Sequence, residues 1–223
     1  MLMVEAVIFD WDGTLADTKK AVVQSFQKVL TEAGCRVSDT FIERRMGIGT
    51  KKTIIEAFRE CQMRLDVSTL EKLADEKVRI HAGLADIVYL FDGVTELLEA
   101  LQNKTKIALA TMSNRKVVNN LLPAKKLATY FDVVVSADDV ANPKPDPEVF
   151  LLTAKKLGVN PEDCLVVEDS VFGVRAARAA KMKCIAVPSG AYSKEELEKE
   201  QPDLMINSLL EKKKILDFIF GNK

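Results

Sequence analysis

Five short runs rich in valine and isoleucine recur along the chain, each bounded by polar residues. They are VEAVIF (4–9), KIALAT (106–111), DVVVS (132–136), CLVVE (164–168) and KCIAV (183–187). Each run has the length of a strand and is apolar throughout, which is typical of parallel strands covered by helices on both faces. The segments between them have helical spacing, as in Val94, Leu97, Leu98 and Leu101. This alternation predicts an α/β fold with a doubly wound, Rossmann-like parallel sheet.

The segment between Asp17 and about Leu90 has a different pattern, without any run of this kind. Its periodicity predicts four helices, at 17–33, 38–45, 51–63 and 68–86. We therefore predict a helical cap domain at 17–87, inserted into an α/β core formed by 1–16 and 88–223. Because the insertion directly follows the DWDGT turn, we expect the cap to cover the mouth where the first strand ends.

The charge balance excludes some classes of partner. The 223 residues carry 32 Lys+Arg and 33 Asp+Glu, which gives a formal net charge of −1. Such a chain has no overall field that attracts nucleic acid or an anionic membrane surface. No apolar run approaches the roughly 20 residues of a membrane span, and the N-terminus has no basic leader. We predict a cytoplasmic monomer that acts on a small molecule.

Cysteine and histidine usage argues against a zinc site. The four cysteines, which we expect to be reduced and structural, are Cys35, Cys61, Cys164 and Cys184. They form no CxxC pair, and His81 is the only histidine. A Ser-His-Asp triad would need His81 as its base. The charged helical stretch around it, KVRIHAGLAD, predicts a solvated side chain instead.

Chemically active residues follow the predicted strands. In open α/β sheets ligands bind outside the carboxyl ends of the strands. The residues at these ends are Asp10 and Asp12, then Thr111, Met112, Ser113 and Asn114, and then Glu168, Asp169 and Ser170; a further loop, PKPD, carries Lys144. Acids, hydroxyls and one ammonium group are therefore expected to meet at the same rim.

The DWD sequence predicts a metal site. On an extended chain Asp10 and Asp12 share a face, and Trp11 between them points the other way. Together with Asp169 they offer the oxygen ligands that Mg²⁺ prefers, and its charge would offset their mutual repulsion. Lys144 and the Thr111 hydroxyl would then donate to phosphate oxygens.

Other interpretations of the DxD pair explain less. An EF-hand loop needs glycine at its sixth position and glutamate at its twelfth. Counted from Asp10, Gly13 is at the fourth position and Ala21 is at the twelfth, so this interpretation fails. The metal-binding DxD of a glycosyltransferase remains open, but it explains neither Lys144 nor the acids at 168–169. Helix capping by a turn acid leaves the other loops unexplained.

In their order along the chain, these motifs resemble those of the haloacid dehalogenase superfamily of phosphohydrolases. They are DWDGT at 10–14, Thr111 in ALATMSN, Lys144 in NPKPDP, and Glu168-Asp169 in VVEDSVFGV. The resemblance spans the whole chain and points to the branch with a helical cap, the phosphoglycolate phosphatase and β-phosphoglucomutase group. It implies Mg²⁺-dependent hydrolysis of a small-molecule phosphate monoester.

The resemblance also implies a role for each motif residue. Asp10 matches the nucleophile that forms an aspartyl-phosphate, and Asp12 matches the acid/base, whose backbone carbonyl is a further metal ligand. Asp169 matches a direct metal ligand, and beside it Glu168 binds the metal either directly or through water. Thr111 and Lys144 match the phosphate-binding positions, with Asn114 as a neighbour; Thr14 matches a residue often found in phosphatases.

Two residues separate activities within the superfamily. Dehalogenases attack carbon without Mg²⁺ and lack the second aspartate, so Asp12 favours phosphate ester chemistry. Mutases of the β-phosphoglucomutase kind usually carry a histidine about twelve residues after the nucleophile, where this chain has Val22. A hydrolase is therefore favoured over a mutase.

The loop at 46–52, MGIGTKK, is the predicted specificity loop of the cap. Its two glycines allow close approach, and Thr50 can cap a helix that begins with basic residues. Lys51 and Lys52 are either a binding site for a second anionic group of the substrate or a solvated pair.

A phospho-accepting receiver module is the alternative from a different class, since receivers also use Asp, Thr, Lys and Mg²⁺ on a doubly wound sheet. Such a module needs only about half of this length. A receiver needs neither a cap nor an acid/base at Asp12. Steady release of phosphate would indicate a phosphatase rather than a receiver.

Overall fold

The computed structural model describes residues 4–221, which contain eight strands. They are β1 (Ala6–Phe9), β2 (Ala16–Asp17), β3 (Tyr89–Leu90), β4 (Lys106–Ala110), β5 (Val133–Val135), β6 (Cys164–Glu168), β7 (Lys183–Ala186) and β8 (Leu204–Met205). Six of them form a parallel sheet in the order β5-β4-β1-β6-β7-β8, and β2 pairs with β3 in a separate antiparallel ribbon. The predicted doubly wound α/β fold is confirmed.

Ten α-helices accompany the strands within the described residues. They are α1 (Lys19–Glu32), α2 (Asp39–Glu43), α3 (Thr50–Glu60), α4 (Val67–Ala82), α5 (Val94–Leu101), α6 (Arg115–Ala124), α7 (Glu148–Leu157), α8 (Val171–Ala179), α9 (Lys194–Glu198) and α10 (Lys212–Phe220). Short 3-10 turns lie at Ala85–Ile87, Ala137–Asp139 and Pro161–Asp163. The first four helices, which we call the helical segment (residues 19–82), follow β2 and precede β3.

The central strand β1 shows why the apolar runs do not alternate. It pairs with β4 on one side and β6 on the other, with Phe9 opposite Leu109 and Val167. Val7 and Phe9 belong to the hydrophobic core on one face of the sheet, and Ala6 and Ile8 to the core on the other. Because successive side chains of a strand point to opposite faces, a strand covered on both sides must be apolar at every position.

The helical segment has a hydrophobic cluster of its own. It is formed by Val22, Val23, Phe26, Val29, Leu30, Cys35, Ile42, Met46, Ile54, Ala57, Phe58 and Ala74. These residues come from all four helices and their connections, and none belongs to the two cores that cover the sheet. The segment therefore buries its own apolar faces, although the boundaries of a cap domain at 17 and 87 stay a prediction.

The elements depart from the predicted pattern in small ways. All five apolar runs are strands, and all four helices of the segment are present. The strand β6 has the predicted bounds, the other four strands are one or two residues shorter than their runs, and the helix ends differ from the predicted ones by one to four residues. The two-residue strands β2, β3 and β8 carry no apolar run that could have predicted them. Among residues 4–221, none of the helices combines the length and the hydropathy needed to cross a bilayer.

Candidate active site

The candidate site lies at the carboxyl ends of the three central strands. Asp10 follows β1, Thr111 follows β4, and Glu168 is the last residue of β6. Backbone N–H groups continue the sheet at this edge, since Asp10 donates to the carbonyl of Val167 at 3.0 Å. Trp11 turns away into the core and is 1% exposed, as its position between two site residues predicts.

A buried ammonium group joins two of the acids. Lys144 is fully buried, and its Nζ lies 2.6 Å from Asp10 Oδ1 and 2.6 Å from Glu168 Oε1. It also donates to the carbonyl of Ala110 at 3.4 Å. Burial alone would lower the pKa of Lys144, but the charges of Asp10 and Glu168 outweigh it and raise this pKa above its usual value. The lysine is therefore a permanent cation that neutralises one of the carboxylates.

Glu168 has protein donors on both carboxylate oxygens. Its Oε1 accepts from Lys144, and its Oε2 accepts from the backbone N–H groups of Asp169 and Ser170 and from the Ser170 hydroxyl, each at 3.0 Å. Gly173 packs so closely that a Cβ there would lie 1.8 Å from Glu168 Oε1. The backbone thus fixes this carboxylate in one orientation.

Two glycines enclose Asp169. A Cβ on Gly13 would lie 2.3 Å from Asp169 Oδ2, and one on Gly190 would lie 1.7 Å from the same oxygen. Gly13 also has φ +91°, a conformation that favours glycine. The Thr14 hydroxyl donates to Asp169 Oδ1 at 2.9 Å. The DGT part of the first motif therefore supports an acid more than 150 residues away.

Asp10, Glu168 and Asp169 form a group that could hold a metal ion. Each contributes a carboxylate oxygen, and these oxygens lie within 4.8 Å of one another. Burial, partly opposed by Lys144, raises the pKa of Asp10 well above its usual value; burial and the charge of Glu168 do the same to Asp169. Three buried carboxylates beside one ammonium leave negative charge uncompensated, so this all-oxygen donor set fits a hard divalent cation such as Mg²⁺.

The Asp12 carboxylate lies outside this group and is held by three hydroxyls. Its Oδ1 accepts from Thr18 at 2.8 Å, and its Oδ2 accepts from Ser113 at 2.7 Å and from Thr111 at 3.2 Å. The acidic group contains Asp10 but not Asp12. The two aspartates of the DxD pair therefore have different surroundings, one ionic and one formed by neutral donors.

Thr111 and Asn114 occupy different parts of the site. The Thr111 hydroxyl contacts Asp12 and accepts from the backbone N–H of Ser113 at 3.0 Å. Asn114 connects the helical segment to the sheet, because its Oδ1 accepts from the Thr50 hydroxyl at 2.9 Å and its Nδ2 lies 3.3 Å from Asp138. Of these two predicted phosphate-binding residues, Thr111 contacts a predicted catalytic residue, Asp12, and Asn114 does not.

Lys51 and Lys52 line a cleft of about 460 Å³ together with Asn114 and Asp138. Lys51 is exposed, and its Nζ lies 2.6 Å from Glu71 Oε2. Neither lysine lines the smaller pocket that contains Asp12.

The pocket over Asp12 contains two cationic residues that the sequence analysis missed. Its volume is about 30 Å³, and Arg45 and Lys77 of the helical segment line it together with Ser113 of the loop after β4. Arg45 is engaged elsewhere, since its Nε lies 2.7 Å from Glu56 Oε2 and its guanidinium lies over the Phe41 ring. Lys77 is 4% exposed. The i, i+3 spacing from Ala74 on α4 is the one sequence signal that could have placed it on the buried face.

The prediction of a solvated His81 was wrong. The side chain is fully buried, and its Nδ1 lies 3.1 Å from Lys77 Nζ, one helical turn away. Burial, and then the charge of Lys77, lowers the pKa of His81 well below its usual value. The charged residues near His81 in the sequence misled the prediction: Arg79 is exposed, but Lys77 shares the buried face of α4 with His81.

The comparison with protein families identifies the family of the chain. A model of the haloacid dehalogenase-like hydrolases matches residues 7–187. The chain belongs to this family. The matched range includes every residue assigned above to the acidic group, and the predictions of the superfamily and of a phosphatase enzyme are confirmed.

Curated relatives of this family member include phosphatases. The chain is 34% identical over 183 residues to the phosphorylated carbohydrates phosphatase of Thermotoga maritima, covering 81% of this chain and 83% of that protein. It is also 37% identical over 193 residues to SUPPRESSOR OF QUENCHING 1 of Arabidopsis thaliana. That match covers 82% of this chain but only 18% of the much longer plant protein.

Solved structures of family members have the same architecture. A hydrolase from Pseudomonas syringae superposes with a TM-score of 0.89 at 29% identity, covering 97% of this chain and 99% of that one. A β-phosphoglucomutase from Clostridium difficile gives a TM-score of 0.85 at 27% identity with the same coverage. Hydrolases and mutases thus share this fold, and the side chains of the site must distinguish them.

Proposed function

We propose that this family member is a Mg²⁺-dependent phosphatase that hydrolyses small-molecule phosphate monoesters through an aspartyl-phosphate intermediate, as a phosphoglycolate phosphatase does. The observation that carries the proposal is the convergence of the Asp10, Glu168 and Asp169 oxygens within 4.8 Å, with Lys144 Nζ 2.6 Å from two of these acids. An acidic group with its own fixed cation can hold both a metal ion and the anion that the metal attracts.

Asp10 is the proposed nucleophile. One of its oxygens attacks phosphorus, the bond to the ester oxygen breaks, and the phosphoryl group moves to the carboxylate. Lys144 supports this role, because its ammonium group both orients Asp10 and offers positive charge to the phosphoryl oxygens during transfer. Asp10 and Asp169, together with Glu168 either directly or through water, would hold Mg²⁺, which would supply positive charge to the phosphoryl group during transfer.

Asp12 is the proposed acid/base. It gives a proton to the leaving alkoxide, and then takes one from the water that attacks the aspartyl-phosphate. Its position on the helical-segment side of the site, in the pocket where the leaving group would lie, supports this assignment. The hydroxyls of Thr18 and Ser113 keep the carboxyl oriented through both steps. Thr111, beside Asp12, is proposed to donate to a phosphoryl oxygen.

A phosphosugar mutase is the second candidate, since a β-phosphoglucomutase shares the fold. Val22, the residue that replaces the usual histidine, lines the pocket over Asp12. An aliphatic side chain there cannot carry a proton between the two half-reactions, which supports a hydrolase. A mutase would convert one sugar phosphate to its isomer without net release of phosphate, and a receiver module would release none in the steady state.

The experiment that tests the proposal measures phosphate release. Phosphoglycolate, sugar phosphates and an aryl phosphate are incubated with the protein in Mg²⁺ and again with a chelator. We expect steady hydrolysis of at least one ester, and a loss of about 100-fold or more when the metal is removed, because metal charge stabilises the transferring group. Equal rates with and without chelator would contradict the metal assignment.

Lys51 and Lys52 give a second prediction. The exposed contact of Lys51 with Glu71 supports the solvated interpretation, and exposed ion pairs contribute little. We therefore expect the double variant Lys51→Ala/Lys52→Ala to lose less than about fivefold in kcat/KM, equally on 2-phosphoglycolate and on an uncharged aryl phosphate. A loss confined to 2-phosphoglycolate and above tenfold would instead support a role of these lysines in substrate selection.

A further inference from the structure

Lys77 is a buried cation without an acidic partner. Its ammonium group lies 3.1 Å from His81 Nδ1 and 4.6 Å from the centre of the Phe26 ring. Within residues 4–221 no carboxylate forms an ion pair with it, and Asp12 is the acid whose charge acts on it. Burial lowers the pKa of Lys77 to about 8. A lysine in such surroundings destabilises the folded state unless a ligand supplies negative charge.

His81 also has a buried polar atom without a partner. An ammonium group has only N–H donors, so the Nδ1 of His81 must accept the hydrogen bond and Nε2 must carry the ring proton. Nε2 is buried and has no hydrogen-bond partner. A buried, unpaired N–H is unfavourable, so packing alone does not favour histidine here. The contact with Lys77 is what this residue provides.

Lys77, the outer member of the pair, faces the pocket over Asp12. Lys77 lines the same pocket as Asp12 and Ser113, which is the pocket proposed above for the leaving group. With one N–H directed to His81, the ammonium group keeps two others for a ligand. Asp12 and Arg45 are the other charged residues of this pocket, and Arg45 is paired with Glu56. Lys77 is thus the cation available to a second anionic group of the substrate.

We propose that His81 is a positioning residue, which holds the Lys77 ammonium group at the wall of the pocket so that it binds an anionic group, a carboxylate or a second phosphate, on the leaving group of the ester. This inference rests on the proposed phosphatase function. It places recognition of the leaving group on α4 rather than on the Lys51-Lys52 pair.

The test uses two pairs of esters that differ in one anionic group. 2-Phosphoglycolate is compared with 2-hydroxyethyl phosphate, and fructose 1,6-bisphosphate with fructose 1-phosphate, so that the pairs separate a carboxylate from a phosphate. We expect the wild-type protein to prefer the anionic member of at least one pair. Lys77→Met should reduce that preference by about 10-fold or more, since it removes a charged hydrogen bond.

His81 is tested by two substitutions of different chemistry. His81→Phe keeps the ring but removes the acceptor, and we expect it to raise KM for the preferred anionic ester by about 10-fold with a much smaller effect on kcat. His81→Gln offers an amide oxygen to the ammonium group and should recover most of the affinity. Lys72→Met removes an exposed lysine from the same helix and serves as the matched charge control.

The outcomes separate this inference from the proposed function. If the wild-type protein hydrolyses no ester, the proposed function fails and the inference fails with it. If it hydrolyses esters but shows no preference in either pair, or if the preference survives in Lys77→Met, only the subsite is overturned. Equal KM values in His81→Phe and His81→Gln would overturn the positioning role. If His81→Phe does not fold, His81→Gln is compared with Lys77→Met instead. Equally high KM values in these two variants would overturn the positioning role.

Discussion

Replacing Asp10 by asparagine should abolish phosphate release while the protein still folds. The amide keeps the shape and the acceptor oxygen for Lys144 but is a very poor nucleophile, so turnover should fall by about 10⁴-fold or more. Stability should be unchanged or higher, because burial raises the pKa of Asp10 and the site therefore favours an uncharged group there.

The measurement is phosphate release in parallel with thermal unfolding. Asp132→Asn, at a carboxylate that accepts from the Ile107 backbone N–H on the far end of β4, is a matched control at a distance from the site. Turnover of Asp10→Asn close to the wild-type rate would refute the nucleophile assignment. Loss of activity together with loss of folding would show that Asp10 is mainly structural.

Replacing Lys144 by methionine should have the opposite effect on stability. Methionine nearly fills the volume, but Asp10 and Glu168 would lose the cation that lies 2.6 Å from each of them. Breaking a buried ion pair by removing one partner costs about 3–5 kcal/mol. Activity should fall by about 10²–10³-fold as well, because a preorganised charge for the phosphoryl oxygens is lost.

Added Mg²⁺ should recover part of this stability, since a divalent ion bound to the remaining acids replaces the missing positive charge. Lys155→Met, which removes an exposed lysine from α7, is the control and should unfold at the wild-type temperature. A Lys144→Met protein as stable as the wild type would contradict the charge balance described here. If Mg²⁺ raised the unfolding temperature of Lys144→Met by no more than that of Lys155→Met, this would argue against metal binding at these acids.

Asp10→Asn and Lys144→Met are expected to affect stability differently, so a variant that carries both substitutions is informative. In the double variant, the asparagine removes one of the two acids that the lysine neutralises, so the cost of losing Lys144 should be smaller than in the single variant. Residues in direct contact are expected to show such non-additivity. Additive effects would mean that the 2.6 Å contact between Lys144 and Asp10 contributes little.

The sheet and the acidic residues could be predicted because both follow from local patterns. A strand that is buried on both faces must be a continuous apolar run, so β1, β4 and β6 are visible in the sequence. Parallel strands bring their carboxyl ends to one edge, which places Asp10, Thr111 and Glu168 near one another without any knowledge of side-chain contacts.

The contacts themselves could not be predicted. Nothing local indicates that Lys144 lies between Asp10 and Glu168, because the three residues are far apart in the sequence and meet only in the folded chain. The position of Lys77 over Asp12 depends on how the helical segment lies against the sheet, which the periodicity of α4 does not determine. The burial of His81 depends on the same packing. The charged residues near it in the sequence suggested an exposed side chain instead.

The most direct test of the central claim is to find the phosphoryl group on Asp10. The Asp12→Asn variant, in which loss of the acid/base should slow hydrolysis of the intermediate, is mixed with p-nitrophenyl phosphate and Mg²⁺ and quenched in acid. Peptide mass spectrometry should detect one added phosphoryl group on the peptide that contains Asp10, and none when Asp10 is also asparagine. Phosphate release that continues while this peptide is never modified, or a phosphoryl group on another residue, would contradict the account.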